Sequence, residues 1–146
     1  MEYLDTNIIL RYLLKDDPDK AARAYALLQE VEQGNRTVAT TEAVIAEVIY
    51  VLSSKRTYNL PRDLVVKRLM PIIMLKGLKI GCKAVDKRMY ADALTLYKTS
   101  PTLDFADAII LARMKHEGVT TIISFDTDFD DFPNVTRVEP AEQRAA

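Results

Sequence analysis

The chain has 146 residues, 49% hydrophobic and 28% charged, with only 4 glycines. These figures exclude a disordered or low-complexity chain and fit one globular domain large enough to bury a core without disulfide or metal staples. The formal net charge of −1 argues against a strongly basic nucleic-acid binder, but that average hides an uneven distribution.

Residues 1–54 carry 5 basic and 9 acidic side chains, residues 55–98 carry 11 and 3, and residues 99–146 carry 4 and 9. A basic middle is thus bracketed by acidic ends. Cys82 is the single cysteine, which excludes an intrachain disulfide and reads as a buried, inert thiol. No basic-then-apolar leader and no apolar run of membrane-spanning length occurs, so the protein is expected to be soluble, intracellular and cytoplasmic, with no membrane partner.

In chain order, residues 1–4 form an expected buried strand ending at Asp5. A helix follows from Thr6, with Ile8, Ile9, Tyr12 and Leu13 on its apolar face. Asp16-Asp17-Pro18-Asp19 breaks it, with Asp17 placed to cap and Pro18 to open the next helix. That second helix has Ala22, Tyr25, Ala26, Leu28 and Val31 as its apolar residues and ends at Gly34. Residues 37–40 read as a strand, and Thr41 starts a helix reaching at least Leu52. Pro61 opens a further helix, with Pro71 either kinking it or lying in a new first turn. Residues 78–81 read as a strand, 86–99 and 103–117 as helices, and 121–125 and 135–138 as strands. Residues 1–140 form a single domain on this reading, with 141–146 as a polar C-terminal tail.

Strands alternating with helices predict an α/β fold, a short parallel central sheet flanked by helices on both faces. Sites in such sheets form beyond the C-terminal ends of the strands. Acids sit there. Asp5 follows the first strand and Asp126 follows the fourth. Glu47 and Asp107 are each the only charge in an otherwise apolar stretch, Ala43–Leu52 and Phe105–Ala112. A buried carboxylate without a partner is costly, so it keeps a proton or finds a cation. Four carboxylates from separate segments could share a hard divalent cation, Mg²⁺ or Mn²⁺, which prefers oxygen ligands.

Each acid also has a plainer role. Asp5-Thr6-Asn7 can cap a helix, Glu47 can pair with a Lys or Arg, Asp104 and Asp107 can be first-turn acids, and Asp126-Thr127-Asp128 can be a turn. His116 reads as a helix-end contact. Tyr25, Tyr50 and Tyr90 read as core or interface residues rather than base-stacking ones.

The segments Leu4-Asp5-Thr6-Asn7, Ala46-Glu47-Val48, Phe105-Ala106-Asp107-Ala108 and Ser124-Phe125-Asp126-Thr127-Asp128-Phe129, in this order and spacing, resemble the PIN domain family and, more narrowly, the VapC-type toxin ribonucleases. The resemblance spans nearly the whole chain. It implies a three-layer PIN fold and a metal-dependent endoribonuclease, the toxin of a toxin-antitoxin pair. Asp5, Glu47, Asp107 and Asp126 would be the catalytic, metal-binding acids, with Thr6, Asn7, Asp104, Ser124 and Asp128 in lesser supporting positions. Ser124 stands where many relatives carry Thr. A homodimer and a small antitoxin protein are the implied protein partners. Lys55 and Arg56, in the basic middle, are candidate RNA-backbone contacts. Two alternatives stay open: a non-catalytic PIN module binding RNA or a protein, and a phosphatase built on Asp126-Thr127-Asp128. The latter motif usually follows the first strand, not a late one.

Overall fold

The computed structural model describes residues 1–81 and 87–142. Cys82, Lys83 and the helix start expected at Asp86 lie outside the described residues.

Five strands of three residues each make one all-parallel sheet in the order β3-β2-β1-β4-β5. They are β1 (Glu2–Leu4), β2 (Val38–Thr40), β3 (Leu78–Ile80), β4 (Thr121–Ile123) and β5 (Thr136–Val138). Tyr3 pairs with Ala39 on one side and Ile122 on the other, and Leu4 pairs with Ile123. Tyr3, Leu4, Val38, Ala39, Ile122 and Ile123 are fully buried, as central strands covered on both faces require. The edge strands β3 and β5 carry the more exposed residues.

Between them run α1 (Thr6–Leu14), α2 (Pro18–Gln33), α3 (Glu42–Ser53), α4 (Arg62–Ile73), α5 (Lys87–Thr99) and α6 (Phe105–Glu117), with a 3₁₀ turn at Thr127–Asp131. The strand order steps outward from β1 to β3, then reverses to β4 and β5. Right-handed crossovers therefore carry α1–α4 over one face and α5–α6 over the other. This is the expected α/β architecture with a parallel sheet between helical layers.

The starts are capped as the sequence suggests. Asp17 accepts from the Lys20 N–H ahead of α2, and Thr41 accepts from the Val44 N–H ahead of α3. Gly34 ends α2 in the left-handed conformation, φ +77°. Gly77 is fixed by space: a Cβ there would lie 2.1 Å from the Arg36 carbonyl oxygen, where β3 is tied to β2 by Val38 N–H to the Gly77 carbonyl.

Several local expectations shift. The buried face of α2 is Ala21, Arg23, Ala24, Leu27, Leu28 and Val31; Ala22 and Tyr25 point outward. Pro71 starts no new helix. It sits inside α4 near its end, where its missing N–H removes one intrahelical bond. Tyr25, Tyr50 and Tyr90 are exposed, so none belongs to the core. Ile49 is exposed as well, whereas Leu28 is buried. His116 does contact a carboxylate, but that of Asp92 on the neighbouring helix α5, at 3.0 Å.

Candidate active site

The strand order reverses between β1 and β4, and the two parallel strands end level, Leu4 beside Ile123. Such a switch point opens a crevice at the carboxyl ends of the strands. Asp5 and Ser124 are the first residues beyond those ends.

Asp5 is 3% exposed and caps α1, its Oδ1 accepting from the Thr6 N–H at 2.8 Å. The Ser124 hydroxyl donates to its Oδ2 at 2.7 Å. Ser124 in turn accepts from the Asn7 side-chain amide at 3.1 Å and from the Asp126 N–H at 2.9 Å. Asn7 Oδ1 takes the Phe125 N–H at 3.2 Å. The Leu4-Asp5-Thr6-Asn7 and Ser124-Phe125-Asp126 segments are thereby laced into one unit.

Thr6 reaches the next acid. Its hydroxyl donates to Glu47 Oε2 at 2.7 Å, linking the start of α1 to the middle of α3. Asp104 caps α6 by accepting from the Asp107 N–H at 2.9 Å, and Asp107 is buried in the first turn. Asp126 caps the 3₁₀ turn through the Asp128 N–H at 2.9 Å. The capping roles are therefore real at Asp5, Asp104 and Asp126, and each coexists with a charge that other acids of the set feel.

Electrostatics shows how closely the acids feel one another. Burial pushes Asp5 up to about 6, and the charges of Asp126 and Asp104 add to that; the bonds from Ser124 and Thr6 oppose it. Glu47 is pushed up to about 7, first by burial, then by Asp104 and Asp5, against the Thr6 bond. Asp107 rises furthest, to about 8, through burial and the charges of Asp5, Asp104 and Glu47. Asp128 is raised chiefly by Asp126.

Among the described residues, no Lys, Arg or His stands within ion-pair distance of Asp5, Glu47, Asp104, Asp107 or Asp126. The plainer reading of Glu47 as half of a salt bridge therefore does not hold among them. Nor do any three described His, Cys, Asp or Glu side chains stand close enough together to form a ready-made metal-ligand group. The set is an open ring of mutually repelling acids. Its donors are oxygen only, the chemistry that suits a hard divalent cation.

Lys55 and Arg56 are exposed just beyond the C-terminus of α3. Six residues of helical rise put the end of α3 at Ser53 about 9 Å along the axis from Glu47, with Lys55 two residues beyond it. Two other basic groups lie over the Phe125 ring. The Lys20 ammonium and the Arg23 guanidinium lie 5.5 and 5.2 Å from the centroid of the Phe125 ring, one residue before Asp126. The sequence did not single these out; Lys20 and Arg23 stand one helical turn apart on α2, but nothing in the pattern places that turn over Phe125.

The α/β sheet of this order carries acids at its switch point, and the PIN domain model matches residues 3–135. The chain belongs to the PIN domain family. Within it, the chain is 27% identical over 139 residues to Ribonuclease VapC13 of Mycobacterium tuberculosis, covering 94% of this chain and 99% of that protein. The VapC ribonuclease of Mycobacterium bovis matches to the same extent. Among solved structures, VapC20 of M. tuberculosis, a Sarcin-Ricin loop cleaving toxin, superposes with a TM-score of 0.67 at 17% identity, over 90% of this chain and 94% of its own. VapBC2 from Rickettsia felis, bound to a promoter DNA fragment, gives 0.63 at 22%, over 95% and 98%. These two likenesses speak to the fold.

Proposed function

We propose that the chain is a divalent-metal-dependent endoribonuclease, the toxin of a toxin-antitoxin pair, with Asp5, Glu47, Asp107 and Asp126 as its metal-binding catalytic acids. The observation that carries this reading is the ring itself: Asp5, Glu47 and Asp107 are pushed up to about 6, 7 and 8 with no ion-pair partner among the described residues. The curated relatives that match along nearly the whole chain are ribonucleases by name.

A divalent cation, Mg²⁺ or Mn²⁺, supplies activation of water and neutralisation of developing phosphate charge when bound at such a site. The chain's own groups prepare for it. Thr6 N–H and Ser124 O–H hold the two Asp5 oxygens from behind, so the carboxylate cannot swing away. The Thr6 hydroxyl steadies Glu47. Asn7 and Ser124 fix the turn that carries Asp126. Asp104 and Asp128 sit one position outward, adding negative charge that strengthens cation binding.

Partners follow the same reading. Structural neighbours include a toxin-antitoxin complex from Klebsiella pneumoniae. We expect a small antitoxin whose tail enters the acid-lined crevice, as the resemblance to VapC-type toxins implies. A second copy of the chain would cover the α3–α4 surface, where Ile49, Val66 and Met70 are exposed. Lys55 and Arg56 extend the RNA path. No described helix is long and apolar enough to cross a membrane.

The test is cleavage of a mixed RNA pool with Mg²⁺, Mn²⁺ or EDTA, beside Asp5→Asn. Cleavage with metal and none with EDTA or the variant is expected. Metal-independent cleavage, or full activity of a clean Asp5→Asn preparation, overturns the assignment. Absence of both cleavage and cation binding would leave a non-catalytic RNA- or protein-binding module.

A further inference from the structure

The acid ring has an aromatic neighbour that its chemistry does not use. Phe105 is the first residue of α6, directly after Asp104, and remains 38% exposed. Tyr97, in the last turns of α5, is 52% exposed. The two rings meet edge to face, centroids 6.0 Å apart at 84°. Together with Lys98, Pro101 and Asp104 they line an open hollow of about 610 Å³. Asp104 is the shared wall. On one side it lines this hollow, and on the other its carboxylate raises Asp5, Glu47 and Asp107.

Beyond their contact with each other, both rings leave a substantial share of their area in solvent beside a charged site. A pair at right angles offers a face and an edge at once, which suits a flat heterocycle. Unpaired nucleobases stack on such rings, and every base has a face to offer. Lys98 provides the cation that the adjoining backbone phosphate requires. The other described aromatic pair, Tyr12 with Tyr25, stacks upon itself at 14° and lies in a different groove.

We propose that Tyr97 and Phe105 form a stacking platform for an RNA base flanking the cleaved phosphate, with Lys98 holding the adjacent backbone. This rests on the ribonuclease reading for the word "cleaved", but the stacking stands or falls separately. A base held in a duplex is already stacked on its neighbours and cannot enter the hollow. The rings meet the face of a base and not its edge, so sequence preference at that position should be weak.

Two readouts keep the proposals apart. Binding is measured in an Asp5→Asn background with Mg²⁺, using a short single-stranded RNA carrying one 2-aminopurine, whose fluorescence falls on stacking. Quenching is expected, and Phe105→Ala or Tyr97→Ala should abolish it and raise Kd about tenfold, within the range that stacking of one base supports. Phe105→Tyr should restore both, which also controls for folding. The same RNA in a duplex should show no added quenching on binding. In the cleaving chain, the alanine variants should raise KM with kcat little changed. Unchanged Kd and quenching in both alanine variants overturn the platform and leave the rings to a protein contact. Quenching that depends on the rings in a chain that cleaves no RNA upholds the platform and overturns the nuclease assignment.

Discussion

Replacing Asp5 by Asn tests the electrostatic account more sharply than loss of activity can. In the folded chain Asp5 keeps its proton to about pH 6, against an ordinary value of 3.8. Below the ordinary value both folded and unfolded chains are protonated there, and nothing is lost. Between about 3.8 and about 6 the unfolded chain ionises while the folded chain keeps its proton, so stability falls across that range and levels off above it. That fall corresponds to about 3 kcal/mol by the linkage relation. Asn carries no charge and escapes it. Asn also forfeits one hydrogen bond: its amide nitrogen cannot accept the Ser124 proton, and the Ser124 oxygen already takes two donors. That loss costs about 1 kcal/mol. The net gain above pH 6 is about 2 kcal/mol. For a chain of this size that raises Tm by roughly 4–8 °C.

The assay is thermal unfolding of both proteins in EDTA across a pH series from about 4 to about 8. Near the acid end Asp5→Asn should be equal to the parent or slightly weaker. The difference should change sign near pH 5 and level off above pH 6. Added Mg²⁺ should then raise the Tm of the parent more than that of the variant. A variant with no advantage at high pH would refute the claim that burial and repulsion, rather than compensated structure, govern this carboxylate.

Further outcomes are expected. Asp107 holds its proton to about 8, so Mg²⁺ affinity should climb between pH 6 and pH 8, and titration calorimetry in buffers of different ionisation heat should register proton release on binding. Lys55→Glu with Arg56→Glu should weaken RNA binding and flatten the plot of log K against log salt by roughly 0.7 per lost phosphate contact; an unchanged slope removes those residues from the RNA path. Gly77→Ala drives a methyl into the Arg36 carbonyl, which should cost about 2 kcal/mol or more, read as a lowered denaturation midpoint with an unchanged slope.

The sequence makes the site far more legible than the surfaces. Charges stranded in apolar runs are visible in a string of letters, because burial of a carboxylate is anomalous wherever it occurs. Glu47 and Asp107 stand out for that reason. Strand positions are also readable: Leu4 is followed by Asp5, Ile80 by Gly81, and the apolar, β-branched run 121–125 by Asp126. Helix phase was less so. Alanine and tyrosine tolerate both faces, so the α2 pattern can be read with Tyr25 inward when the fold turns Ala24 and Leu27 inward instead. Pro71 shows a different limit: its ring breaks a helix only where the helix still has length to run, and here it falls in the final turn. The Tyr97–Phe105 pair is invisible in sequence because α5 and α6 meet through a bend at Ser100-Pro101 whose geometry no local pattern encodes.

Ser124 has one consequence of its own. A hydroxyl has a single proton and two lone pairs, and here all three directions are spoken for. Two incoming donors occupy the oxygen, so its hydrogen has one place to go, toward Asp5. The bond is directional in the manner of a valve: it can deliver to the carboxylate and never draw from it. Asp5 is thus held by a hydrogen bond whose direction cannot reverse while Asn7 and the Asp126 N–H occupy the Ser124 oxygen.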